Sequence, residues 1–250
     1  MFKRLLSVLC LVFCVTSVYA VPAEYFSGVQ GTPTKDSLFD LTSAFHSPVS
    51  YKHARELIFG FLYLEGTTSQ TYELETYYCN DTLTNADFAK GSQLGPMKIP
   101  DNNVVNVEHS WPQSHFTSQF PKGFQKADLH ILFPTDSKIN SIRGNYPYGD
   151  TVSTLEAPCQ EAVLGLNSSG ERVFEPDDVI KGDMARAIFY FSVRYKSKVD
   201  KNQEMSLRQW HELDPPDARE IELNEQIFEI QKNRNPFIDN PEYVDQIDDF

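Results

Sequence analysis

The chain has 250 residues, 40% hydrophobic and 13% aromatic, enough to bury a full core in one large domain or two small ones. After the first residues no apolar stretch approaches the roughly 20 needed to span a bilayer, so the sequence reads as that of a soluble protein. A formal net charge of −13 argues against a surface that is basic throughout, the usual footprint of nucleic-acid binding.

Residues 1–20 read as a signal peptide. Lys3 and Arg4 make a basic start, Leu5 to Val15 an apolar run, and Val18-Tyr19-Ala20 a small-residue cleavage site. The mature chain is then expected to begin at Val21, in the periplasm or outside the cell. Lys3 and Arg4 are the only charges in this segment, so its loss takes the net charge from −13 to −15. Without a linker tract, internal repeat or low-complexity segment, residues 21–250 read as one domain. Cys79 and Cys159 are the two cysteines beyond the signal. In an oxidising compartment one bridge is the simplest expectation, with two separately buried thiols as the alternative.

In chain order, His53 to Tyr63 is expected to be a helix, because Leu57, Ile58, Phe61 and Leu62 recur at helical spacing. Asn103 to Glu108 mixes polar and apolar residues and is rich in valine, hence a strand. His130 to Phe133 reads as a second strand closed by Pro134. Thr135-Asp136-Ser137 offers capping side chains for a short helix that carries Asn140 and Arg143 and stops at Gly144. Two longer helices follow. Asp178 to Lys196 has one buried stripe (Ile180, Met184, Ile188, Phe191, Tyr195), and Asp217 to Gln231 has Leu223, Ile227 and Ile230 inward and many acids outward.

The chemistry gathers in one window. Asn106-Val107-Glu108-His109-Ser110-Trp111 is followed by Ala127-Asp128-Leu129-His130 and then Ile139-Asn140. A neutral histidine, with an ordinary pKa of about 6.5, is suited to take a proton from water. Glu and Asn oxygens suit a hard cation such as Mg²⁺. The acid lies elsewhere: residues 206–250 hold twelve acidic and four basic side chains. The stretch from Val104 to Gly149 holds Lys122, Lys126, Lys138 and Arg143 against Glu108, Asp128 and Asp136.

Those motifs, with Arg143-Gly144-Asn145-Tyr146 and Gln231-Lys232-Asn233-Arg234-Asn235-Pro236-Phe237, resemble the bacterial endonuclease I family of periplasmic and secreted nucleases. The resemblance runs from about Tyr51 to Tyr243. It implies an α+β fold around a ββα-metal, or His-Me finger, core, and metal-dependent, sequence-nonspecific cleavage of DNA and, in some members, RNA, leaving 5′ phosphates. Carried over by position, it makes His109 the general base and Glu108 and Asn140 the ligands of one Mg²⁺, with Mn²⁺ or Ca²⁺ as substitutes. The protein is expected to act as a monomer. Successive strand residues face opposite sides, so a strand end or bulge must bring Glu108 and His109 to one site.

Other residues carry weaker signals. Arg143 and Arg186 are candidates for phosphate contacts, because guanidinium matches phosphate bidentately; capping or ion pairing is the alternative for each. Asp128 and His130, alternating on the expected strand, could brace the site or make a purely structural hydrogen bond. His115 reads as a surface histidine, and Asn233 to Phe237 as a tie between the last helix and the rest. Lys126 stands where many members of the family have an acid. Asn80-Asp81-Thr82 and Asn167-Ser168-Ser169 match glycosylation acceptors. An inactive secreted binding protein on the same fold remains the rival reading. A zinc hydrolase is disfavoured, because no His-Glu-x-x-His pattern occurs.

Overall fold

The computed structural model describes Tyr25, Val29 and residues 31–66 and 71–250; the expected signal peptide lies outside the described residues. Helix α1 (Lys35–Ala44) begins in a reciprocal cap between Thr34 and Ser37. Helix α2 (Tyr51–Leu57) starts at Ser50, whose hydroxyl accepts from His53 N–H. The expected helix does not run regularly to Tyr63. Ile58–Leu62 forms a π turn, which leaves Phe61 50% exposed and buries Phe59 instead. Gly60 accepts the Met97 N–H (3.0 Å), and a Cβ at this glycine would lie 2.3 Å from Met97 N. The wider turn thus accompanies a close approach of two backbones.

Three small antiparallel sheets follow. The first is β1 (Leu64–Gly66), β2 (Tyr72–Thr76) and β3 (Asp81–Thr84). The second pairs β4 (Val105–His109) with a strand that follows helix α3 (Lys122–Ala127), namely β5 (Leu132–Asp136), with Glu108 opposite Phe133 and His109 opposite Leu132. Asp136 caps helix α4 (Ser137–Arg143), accepting from Lys138 and Ile139 N–H, and Gly144 ends it at φ 59°. The third sheet is β6 (Ser153–Glu156), β7 (Val163–Leu166) and β8 (Arg172–Glu175).

The second expected strand is corrected in two respects. Asp128 caps a 3₁₀ turn at Leu129–Ile131, so Asp128 and His130 do not alternate on a strand. Pro134 lies within β5 rather than closing it. Its carbonyl accepts Tyr77 N–H at 2.8 Å, on the side away from β4. A residue's N–H and C=O share one side of a strand, so the donor that proline lacks is missing where the β4 ladder does not need it.

Helix α5 (Lys181–Arg194) is the axis of the core. The expected stripe is buried, but so is every other residue of the helix except Asp183, because α1, α6 (Lys201–Leu213) and α8 (Pro236–Asp239) pack around it. Helix α7 (Ala218–Gln231) buries Leu223 and Ile227, and α9 (Tyr243–Gln246) closes the element order. Cys79 and Cys159 are bridged, Cα to Cα 6.1 Å, which rules out two separate thiols. The bridge joins the loop after β2 to the β6–β7 loop. For the 80-residue separation, chain entropy gives about 4.5 kcal/mol. Among the described residues no helix is long and apolar enough to cross a membrane.

Candidate active site

Strand β4, the turn that follows it and helix α4 bound a polar cleft of about 400 Å³. Its walls include Asn106, Glu108, His109, Gln113, Asn140 and Asn145. Strand β4 ends at His109, and the chain turns away through Ser110, Trp111 and Pro112. Adjacent residues with opposite strand facings thereby meet in one cleft. Trp111 fixes this exit: its ring stacks on Phe191 of α5 (4.6 Å, 15°) and its N–H donates to His115 C=O at 3.1 Å. His115 itself is exposed.

His109 is buried, with Nε2 3.0 Å from the Lys126 carbonyl. A carbonyl only accepts, so the ring proton sits on Nε2 and Nδ1 is left bare. Gln113 Nε2 is 3.3 Å from that nitrogen. Burial, foremost, pushes the His109 pKa down to about 4 against the help of the Lys126 carbonyl. This replaces the ordinary value near 6.5 and keeps the ring neutral at pH 7.

Glu108 is 1% exposed, and its Oε1 accepts from Arg143 Nη1 at 2.6 Å. Burial raises the carboxyl's pKa, while the guanidinium opposes the rise. Arg143 also donates to the carbonyls of His109 (3.1 Å) and Ser110 (2.8 Å) and lies over the Tyr148 ring at 4.5 Å. It is therefore a brace at the floor of the cleft, 1% exposed but among its lining residues, in the ion-pairing role that was the alternative to a phosphate contact. The expected contact at Arg186 fails for a similar reason. Its guanidinium is fully buried against Glu220, Asp183 and the Asp214 carbonyl, and it does not line the cleft.

Asn140, from α4, donates its amide to Asn106 Oδ1 and to the Val107 carbonyl (3.3 Å). That fixes which end of the amide is oxygen and leaves Oδ1 as an acceptor on the cleft side. A buried carboxylate and an oriented amide oxygen are hard donors that fit a small divalent cation. Among the described residues no group of three or more His, Cys, Asp or Glu could hold a metal.

Asp128 and His130 do not reach the cleft. Asp128 accepts from the hydroxyls of Tyr190 and Tyr195 and from Gln231 Nε2, each at 2.8 Å. His130 Nε2 donates to Asn233 C=O at 3.0 Å. Asn233 reaches Thr42 C=O (3.0 Å) and Asn235 reaches Arg186 C=O (3.0 Å), so the segment from Asn233 to Phe237 does tie the last helices to the core. Asp128 also anchors the turn whose Lys126 carbonyl holds His109, two residues away. Burial alone would raise Asp128; His46 and His130, the Gln231 hydrogen bond and Arg194 bring it below its usual value.

Burial, outweighing nearby Asp128, pushes the His130 pKa down to about 4. The unfolded chain takes up this proton near pH 6.5 and the folded one near 4, so between them the unfolded state binds more protons. Stability is expected to fall as pH drops from 6.5 to 4, by about 3 kcal/mol at the lower end from this residue alone. Urea denaturation at stepped pH checks it; a flat stability over that window would mean that His130 is not held neutral.

The brace at Asn106, the Gln113 contact and the Tyr51 ring beside His109 (5.7 Å between centroids) were not legible in the sequence. Asn106 opens the Glu-His motif, but only tertiary packing places it against Asn140.

Comparison with known proteins identifies the family. Residues 67–242 match the sequence model of the family described as Endonuclease I. An extracellular ribonuclease of Bacillus subtilis is 38% identical over 247 residues, covering 92% of this chain and 80% of the relative. An extracellular ribonuclease of Bacillus amyloliquefaciens is 36% identical over 57% of this chain and 53% of its own length. An extracellular deoxyribonuclease of Aeromonas hydrophila is 32% identical over 55% of this chain and 66% of its own length. The chain belongs to the endonuclease I family.

Proposed function

We propose that the protein is an exported, sequence-nonspecific endonuclease that hydrolyses phosphodiester bonds of DNA and RNA and leaves 5′ phosphates. The β4–β5–α4 unit is read as its ββα-metal core. One observation carries the proposal: a histidine whose Nε2–H is tied to a backbone carbonyl points its bare Nδ1 into a cleft that also holds Glu108 and the oriented oxygen of Asn140. The ribonuclease and deoxyribonuclease among the relatives support both substrates.

His109 Nδ1 removes a proton from water, the oxygen attacks phosphorus, and the bond from phosphorus to the 3′ oxygen breaks, that oxygen taking a proton from solvent while the imidazolium returns its own to solvent. The Lys126 carbonyl steadies the imidazolium that forms. Glu108 and Asn140 would hold Mg²⁺, which when bound supplies positive charge against the phosphorane and the departing oxygen. Arg143 keeps Glu108 ionised and aimed. Loss of supercoiled plasmid and of a structured RNA, with Mg²⁺ and with chelator, tests the reading. An inert protein that still binds nucleic acid would favour the rival binding role, and activity unaffected by chelator would remove the metal.

Asn140→Ala and Glu108→Gln are each expected to weaken Mg²⁺ binding, so that excess metal partly restores cleavage. Titration calorimetry with unchanged metal affinity in both would place the ion elsewhere.

A further inference from the structure

With Arg143 and Arg186 turned inward, neither guanidinium that the sequence offered for phosphate is available to a substrate. The surface beside His109 offers another pair. Tyr51, the first residue of α2, lies against the His109 ring, and Lys126 Nζ sits 4.3 Å over the Tyr51 ring. Arg55, one turn further along α2, is close enough for its charge to oppose the burial-driven rise in the Tyr51 hydroxyl pKa. Helices α2 and α3 pack together here. Among the described residues neither Arg55 nor Lys126 forms an ion pair, whereas Lys52 on the same helix is paired with Glu56 at 3.0 Å.

One cation lies over the ring beside the general base and a second stands four residues along the same helix, neither ion-paired among the described residues, in a chain of net charge −13. Such a spot concentrates positive potential and attracts a polyanion locally, even on an acidic molecule. Guanidinium supplies a bidentate fork and ammonium a point charge, which together match a phosphodiester oxygen pair. We propose that Lys126 and Arg55, both near Tyr51, grip a phosphate of the nucleic-acid strand adjacent to the one cleaved at His109. This rests on the nuclease reading above and names the part of the surface that holds the substrate. The Lys126 backbone carbonyl, which positions His109, remains in Lys126→Gln; the ammonium also helps to lower the His109 pKa, so the kinetics are read near neutral pH, well above about 4, where the ring is neutral with or without it.

The test compares Lys126→Gln, Arg55→Gln and the double variant with Lys198→Gln, a charge control on the turn between α5 and α6, outside the cleft. Cleavage kinetics on a short oligonucleotide are measured over a range of NaCl, and thermal melts confirm that each variant is folded. Each cation removed is expected to raise KM roughly three- to tenfold, with a far smaller change in kcat, and to make the logarithmic salt dependence shallower by about 1. The control should match the unaltered protein. An unchanged KM and salt slope in the double variant would overturn the grip, as would a fall in kcat at constant KM, which would mean that Lys126 acts through His109. If the unaltered protein cleaves nothing, the proposed function falls. Fluorescence anisotropy with a labelled oligonucleotide still tests the grip, and equal affinity of the double variant would remove it.

Discussion

Replacing His109 with alanine is expected to lower the rate of phosphodiester cleavage by roughly 10² to 10⁴, the contribution of general-base catalysis, while metal binding is retained. The substitution removes the one side chain in the cleft with a bare, neutral nitrogen, but touches neither Glu108 nor the amide of Asn140. It leaves the Lys126 carbonyl without its donor, a loss of about 1 kcal/mol in stability, far too small to unfold a disulfide-bridged core. Rates on plasmid and RNA, alongside calorimetry with Mg²⁺, distinguish the two effects. Near-normal turnover would eliminate His109 as the base, and lost metal affinity would show that it shapes the ligand site instead.

The second large effect is structural and lies directly beneath the first. Arg143→Leu is expected to destabilise the fold by about 3–5 kcal/mol, because it strands the Glu108 carboxylate in a low-dielectric interior. The carbonyls of His109 and Ser110 lose their donors as well. Arg143→Lys should recover only part of this, since one ammonium cannot reproduce a planar fork that serves three oxygens. Replacing Glu108 and Arg143 together by leucine should be less harmful to stability than the single change, while leaving the cleft inactive. Urea denaturation measures all three. A loss below about 1 kcal/mol for Arg143→Leu, the scale of an exposed pair, would show that the pair is not sealed from water.

The two elements that carry the site were legible because their signals are local. A valine-rich mix of polar and apolar residues up to Glu108 marks a strand, and Asp136 followed by Gly144 marks a short helix by capping chemistry alone. The second strand was misplaced by two residues at its start, and its end was set too early at Pro134. Which side of β5 lacks a neighbour's hydrogen bond depends on Tyr77, more than fifty positions away. The π turn at Ile58–Leu62 answers to Met97 in the same way. Helix α1, the outer sheets and α6 were not foreseen; α6 buries Glu204, Leu207, Trp210 and His211 at helical spacing, but two of these four are polar, so the apolar signal is thin.

The sequence by itself determined the chemical inventory: the order of Glu108, His109 and Asn140, the paired cysteines, and the family to which such spacing belongs. Residue type and short-range spacing suffice for these. Only the tertiary structure decided what each charged group faces. It turned Arg143 and Arg186 inward to carboxylates and carbonyls, set Asp128 and His130 into the core and left Lys126, near His109, and Arg55, on the helix that packs against it, without ion-pair partners among the described residues. Burial and partnership are properties of side chains that meet across long stretches of chain, and they fix charge state, tautomer and exposure.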